Sequence, residues 1–400
     1  METPSIWCPK CHTTLSQMEL EDTNVKSKFY KIKFSDEVQI ATTRPEFLPA
    51  CVAIFVNPDD KEHSTLVGKM VQVPIFGQKV KVIADNRVDI TKSTGVVMCC
   101  TFGDLTDVEW YKEYKLPLRK IIDDNGTITY GKYKGKSISE ARAAIVGDLR
   151  EAGYILEEME IVHTVNVHER CKTKIEFIVK KQWYIRYLDL KEVFLKIGER
   201  LLWHPEYMKV KYDNWVNGLK WDWGISRQCY YGVPFPIWYC SNCGEPLMAS
   251  KDELPVNPLS DKPSKKCQKC GSEDYIPETD IMDTWMTSST TPFINSHWKG
   301  GDDYDKRIFP MSMRPQAHEI ISMWLFTTVV KVICTQEKYR LRMLLYQGMV
   351  WIRKVTQCTN HRGTLSGQGQ YWINMERMQC DIGLAKWNLE MIAAIRKRTY

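Results

Sequence analysis

Between residues 30 and 160 the apolar positions fall in short runs, VQIATT, ACVAIFV, MVQVPIF, KVKVIA and GVVMCC, rich in Val and Ile and separated by Gly, Pro and Asp. Runs of this length with turn formers between them predict strands. SISEARAAIVGDLREAG is the clearest helix in the same stretch. A β-rich domain with a few helices follows. The segment from Trp221 to Cys243, WDWGISRQCYYGVPFPIWYCSNC, fits neither period. Indole and phenol rings, a charged Arg227 and turn-forming prolines crowd together there, a pattern that packing of an amphipathic helix or strand does not explain.

Composition sets bounds on this picture. With 400 residues and 44% apolar content the chain can bury the cores of two or three domains. A net charge of +6 is mild for that length and permits a polyanionic partner without announcing one. No apolar run approaches membrane-spanning length, and METPSIWCPKC lacks a basic-then-apolar signal pattern, so a cytoplasmic protein with no membrane partner is expected. Six of the fourteen cysteines lie in three C-x-x-C pairs, a spacing that in a large signal-less chain favours metal thiolates over disulfides.

Two ligand sets emerge. Cys240 and Cys243 with Cys267 and Cys270 place two knuckle-like turns around one ion, and four cysteines leave no open coordination position, which predicts structural zinc. The alternative is reduced cysteines filling a small core. Cys8 and Cys11 have no nearby C-x-x-C partner, but His168 and Cys171 share their two-residue gap. Those four predict a second structural zinc site that clamps distant segments together, so that the chain between them leaves and returns at one place. His163 or His12 as the ligand instead of His168 remains open.

The stretch around ISRQ resembles the corresponding segment of the class I aminoacyl-tRNA synthetases for branched aliphatic amino acids. DIMDTWMTSS, Asp280 to Ser289, resembles the TDxMDTWxxSS segment typical of the valyl branch. IWCPKCHTTLSQMELED and IATTRPEFLPACVAIFVNPDD resemble the start and the threonine-rich loop of that family's inserted editing domain, VHERCKTKIEFIVKKQWYI its exit, and RPQAHEIISMWLF the nucleotide-fold segment after it. Residues 6 to about 350 are covered in the family's order. The resemblance implies a valine-tRNA ligase fragment: a β-barrel editing domain inserted into a partial Rossmann-like fold, α/β and β-rich together. The domains expected are a zinc-binding connector at 1–29, the editing domain at 30–160, the rest of the connector at 161–220, a partial catalytic domain at 221–350 carrying a zinc module at 240–270, and a tail at 351–400. Valine tRNA is the implied partner, with valine, ATP and magnesium in the intact relative, and a monomer is expected.

Residue roles follow from the same resemblance. Thr42, Thr43 and Arg44, with Asp104 and Asp107, would line the editing site: hydroxyls for substrate hydroxyls and the terminal adenosine, a guanidinium for carboxyl or phosphate oxygens, and a carboxylate, best Asp107, for the α-ammonium. The plain alternative for the two acids is a helix N-cap and a solvent-facing carboxylate. Gly103 stands where the common bacterial form has histidine, and Met98 to Cys100 lacks its usual lysine and threonine. Trp221, Arg227, Asp283, Trp285 and His318 match segments that shape the amino-acid pocket, whereas Trp223, Tyr230 and Trp238 are read as core or rim packing.

No HIGH-like motif occurs, and family order would place it before Met1. The KMSKS-like loop should follow Val350, yet resemblance stops at Trp351. Adenylate formation is therefore not expected of this chain. Writing residues 351 to 385 into codons and reading from each third base gives forced residues: Leu from Tyr371 and Trp372, Asp from Trp372 and Ile373, Gly from Met375 and Glu376, Ala from Met378 and Gln379. Permitted choices complete LDKYGADAMRYWA, and Gln357 to His361 allow MHKS. Both strings are what the family has there, so a frameshift near Trp351, and a tail without an evolved fold, are expected. Two rivals remain: a standalone aminoacyl-tRNA editing hydrolase, and a noncatalytic zinc-containing tRNA-binding protein.

Overall fold

The computed structural model describes residues 2–91, 93–296, 307–308, 311, 313–335 and 349–353. The chain divides into two units, Met1–Leu15 with Glu19–Gln182, and Ser16–Met18 with Trp183–Tyr400. The connector segment expected at 161–220 is thus divided after Gln182, and Ser16–Met18 of the segment expected at 1–29 goes with the second unit.

The first unit holds strands β1 (Glu2–Cys8), β2 (Thr13–Leu15), β3 (Leu20–Lys33), β4 (Gln39–Thr42), β5 (Cys51–Val56), β6 (Met70–Gln72), β7 (Lys79–Ala84), β8 (Val96–Cys100), β9 (Ile155–His168) and β10 (Glu176–Lys181). Helices α1 (Leu105–Glu113) and α2 (Ile138–Glu151) lie between β8 and β9. The apolar runs VQIATT, ACVAIFV, MVQVPIF, KVKVIA and GVVMCC contain β4 to β8 respectively. Three sheets form, ordered β10-β1-β2, β4-β3-β9 and β6-β7-β5-β8. Every pairing is antiparallel except β5 with β7. Strand β5 is buried along its whole length. Its run CVAIFV does not alternate because both faces are covered: Cys51, Ile54 and Val56 enter one apolar cluster, Val52, Ala53 and Phe55 another. Helix α2 starts on a Ser137–Glu140 capping box and buries Ala141, Ile145, Val146 and Leu149 against the first cluster. Among the described residues the sheets are open, and closure into a barrel is not seen.

The second unit is built from short pieces: β11 (Tyr184–Ile185), α3 (Lys191–Arg200), β12 (Leu202–His204), α4 (Lys209–Asn217), β13 (Trp223–Gly224), β14 (Ser226–Arg227), β15 (Ile237–Cys240), β16 (Pro246–Met248), β17 (Tyr275–Pro277), β18 (Ile281–Met282), α5 (Thr284–Ser288), α6 (Thr291–Asn295), β19 (Gln316–Ala317), α7 (Phe326–Thr335) and β20 (Met349–Arg353). Strand β20 pairs in parallel with both β12 and β19, the sense expected of a nucleotide-fold sheet. Residues 351 to 353 therefore continue regular pairing past the point where resemblance was expected to end. Backbone ladders form largely irrespective of side-chain identity. Residues 354–400, where the frameshifted tail was expected, lie outside the described residues. The core gathers Phe194, Tyr212, Trp223, Phe235, Ile237 and Phe326. Trp223 and Trp238 are buried, as the packing reading expects, but Tyr230 is 91% exposed and packs in no core. Its ring meets only that of Tyr231 among the described aromatic pairs. No helix among the described residues is long and apolar enough to cross a membrane.

Candidate functional site

Strand β4 delivers Thr42, Thr43 and Arg44 to the edge of the first unit, and all three are half-buried. Thr42 Oγ1 accepts from the Arg44 backbone N–H at 2.9 Å, a short side-chain turn that fixes the loop. The Arg44 guanidinium then reaches three partners. Nη2 forks onto both Glu176 oxygens at 2.9 and 2.7 Å, Nε donates to Glu46 at 3.1 Å, and Nη1 donates to the Gly103 carbonyl at 3.1 Å. Arg142 from α2 closes the network on Glu46 with two bonds of 2.7 Å. Glu46 is fully buried and held below the usual carboxylate range: burial opposes ionisation, but Arg142 and Arg44 outweigh it. Glu176 is pushed upward by burial, with Arg44 pulling against it. The Thr42–Arg44 loop and the Asp104–Asp107 loop, separate in sequence, thus meet through one guanidinium.

Asp104 caps α1, its carboxylate accepting from the Asp107 N–H at 3.0 Å. That is the N-cap alternative. Asp107 does not face solvent: it is 6% exposed, and its Oδ2 accepts from the Gly103 N–H at 2.7 Å. Burial foremost, then the charge of Asp104, pushes the Asp107 carboxyl well above its ordinary value. A Cβ on Gly103 would stand 2.8 Å from Asp107 Oδ2, so a larger residue here would require the Asp107 side chain to shift. A cavity of about 160 Å³, lined in part by Phe47, Thr101, Phe102, Ile121 and Phe177, opens beside the same loop but does not include Asp107.

Two clusters collect the predicted metal ligands. Cys8, Cys11, His168 and Cys171 form one and Cys240, Cys243, Cys267 and Cys270 the other, with the ligand atoms of each cluster within 4.8 Å of one another. In the first, Cys8 Sγ lies 3.5 Å from Cys171 Sγ, and His168 Nδ1 lies 3.5 and 3.3 Å from Cys11 and Cys171 Sγ. In the second, Cys240 to Cys270 is 3.4 Å and Cys243 to Cys267 is 3.5 Å. A tetrahedral ion with metal–sulfur bonds of about 2.3 Å needs edges of roughly 3.8 Å, so both sets fit after slight expansion. His163 instead meets Ser27 Oγ at 3.0 Å. All four knuckles share one turn: the residue after the second ligand donates its N–H to the first ligand's carbonyl at 2.8 to 2.9 Å and takes positive φ. Gly244 and Gly271 occupy that position in the second cluster, His12 and Lys172 in the first.

In the second unit Arg227 and Asp283 are both buried and are each other's partners at 2.7 Å. Asp283 also accepts from Trp223 Nε1 at 2.8 Å and from the Trp285 N–H at 2.9 Å, which caps α5. Trp285 packs half-buried on the core, Trp221 is half-buried, and His318 is partly exposed beside Glu319 at 3.4 Å. Sequence reasoning missed Glu46, Arg142 and Glu176. For Glu176, an acid inside the apolar run IEFIV was the available sign, since a buried carboxylate requires a partner.

The chain belongs to the class I tRNA synthetases (I, L, M and V), whose family profile matches residues 2–355. Within that family its similarity runs to valine–tRNA ligases. It is 52% identical over 334 residues to that of Thermoplasma acidophilum, covering 82% of this chain and 42% of the relative. For Haloarcula marismortui the identity is 48% over 368 residues, with 87% and 41% covered, and for Methanocaldococcus jannaschii 41% over 369 residues, with 90% and 42% covered. The chain spans about two fifths of the length of these curated relatives.

Proposed function

We propose that this chain carries the editing part and a portion of the synthetic part of a valine–tRNA ligase, and that its first unit hydrolyses threonine wrongly esterified to valine tRNA. One observation carries the reading: Arg44 bonds the Gly103 carbonyl at 3.1 Å, which sets Thr42 and Thr43 beside the loop of Asp107. A pocket shaped for valine rejects threonine poorly because the two are nearly isosteric, so a second site that bonds the extra hydroxyl is needed. Thr42 and Thr43 offer that bond. Asp107 offers the other half: its buried carboxyl receives backbone N–H groups and no cationic side chain among the described residues, and a substrate α-ammonium supplies the missing counter-charge. The open sheets of this unit are read as the wall of a barrel-type editing domain.

Both clusters are proposed to hold zinc. Their soft donors and complete sets of four give closed, structural sites, with no coordination position left for substrate. In the intact relative the second unit's fold joins valine to its tRNA with ATP and magnesium. Arg227 and Asp283 shape that pocket by neutralising each other, and Trp221, Trp285 and His318 would flank it.

Single-turnover deacylation, with protein in excess over threonyl-tRNA or valyl-tRNA of the valine type, tests the reading. Threonine should be released and valine spared. Asp107→Ala should slow release by a factor equivalent to about 2 to 4 kcal/mol of transition-state stabilisation. A folded Asp107→Ala variant as fast as an active wild type would remove Asp107 from the reaction.

A further inference from the structure

Arg44 was expected to bind substrate oxygens, yet its donors are committed to the protein. A guanidinium has five N–H groups. Two face Glu176, one Glu46 and one the Gly103 carbonyl, while the ring of Phe47 lies 4.2 Å beneath the guanidinium carbon. What remains cannot grip a carboxylate or phosphate with two parallel bonds. The same geometry gives the fork another use. Gly103 is held on both sides, its carbonyl by Arg44 and its N–H by Asp107, so the position of Arg44 is passed to the Asp107 carboxylate through one residue.

Glu176 decides where that fork points. It is 5% exposed, accepts both Nη2 bonds, and sits opposite Trp7 in the β1–β10 ladder, one residue from the metal ligand Cys8. Glu46 shares the load but is itself held by Arg142, so Glu176 is the one acid of the network anchored on the sheet that carries the Cys8 knuckle. We propose that Glu176 is a positioning residue of the hydrolytic pocket, aiming the Arg44 fork at the Gly103 carbonyl and so setting the Asp107 carboxylate. Its effect on hydrolysis rests on the reading of the pocket given above; the mechanical link from Glu176 to Gly103 does not.

The test uses the 400-residue chain with Glu176→Gln, Glu176→Asp and Arg44→Lys, after metal content and melting confirm folding. Hydrogen exchange of peptides covering residues 101–108 reads the link without reference to activity. Glu176→Gln should speed exchange there about tenfold, while Glu176→Asp, which keeps the charge, recovers part of the protection. In single-turnover deacylation Glu176→Gln should lower the saturating rate roughly 10- to 100-fold with half-saturation nearly unchanged, because a positioning residue touches no substrate. Unchanged exchange overturns the proposal, as does loosened exchange with a wild-type rate. If the wild type does not deacylate threonyl-tRNA, the hydrolytic reading fails and exchange alone decides the link. If Glu176→Gln does not fold, Arg44→Lys replaces it: a lysine has no fork to bridge Glu176 and Gly103, so it should loosen the same peptides, and an unloosened Lys variant is equally fatal.

Discussion

Glu46→Gln isolates the buried charge network from everything else in the first unit. The Glu46 side chain is 0% exposed, and it accepts two bonds from Arg142 and one from Arg44, whose side chains are 29% and 24% exposed. Removing one member of a buried ion pair costs about 3–5 kcal/mol because the surviving charge is left without compensation. Both arginines keep some contact with water, and Arg44 keeps Glu176, so the lower end applies, about 3 kcal/mol. For a unit of this size that is a fall of roughly 6–12 °C in melting temperature. Glu158→Gln is the control, since its partners Lys28 and Arg150 are 54% and 58% exposed. It should cost under about 1 kcal/mol. The sign with pH is fixed as well. Glu46 is depressed in the folded state, so its contribution is present above the unfolded carboxylate value, near 4.3, and is lost as pH falls through the folded one. The gap between wild type and Gln variant should narrow on acidification. Urea unfolding followed by hydrogen exchange of peptides from residues 39–56 and 138–151 measures both effects. A Gln variant within about 1 kcal/mol of wild type at neutral pH would refute the view that this network is a buried, mutually compensating set.

Metal analysis of the purified chain should return about two zinc ions, and Cys267→Ser should lose one of them while the Cys8 cluster keeps its own; a variant still holding two equivalents would dismantle the four-cysteine assignment. Asp107→Asn should stabilise the first unit increasingly as pH rises. The raised folded value of Asp107 means that the protonated acid fits the site, and its contribution is lost as pH climbs through that value. Equal stability of the two proteins from acid to alkaline pH would show that Asp107 is not desolvated as described.

Much of the fold was legible because the signals were local. Each Val/Ile run carried its own strand, and the Ser137–Glu140 box announced α2 within four residues. The two clusters of candidate metal ligands were legible for a different reason. A C-x-x-C turn fixes two ligands by backbone geometry alone, so that only the pairing of knuckles, such as Cys8 with Cys171, had to be guessed. Arg227 and Asp283 were read only as two members of a pocket-shaping set, and their mutual bond at 2.7 Å, between residues 56 positions apart, became visible only in the fold.

What the sequence concealed is the charge network, and the cause is separation. Arg44 and Glu176 are 132 positions apart, Arg142 and Glu46 are 96 apart, and no periodicity reports a bond of that span. A charged residue on a strand or helix normally reads as a solvated face, which for Glu158 is correct. For Glu46 and Glu176 it is wrong, since both interrupt apolar segments that had to be buried on folding. A carboxylate carried inward by its neighbours must find a cation there, because leaving it unpaired would cost more than one strand's apolar contacts return. Arg44 was assigned to substrate for the complementary reason: beside two threonines a guanidinium looks like an oxygen-binding group, and only the folded chain shows that protein carboxylates already hold it.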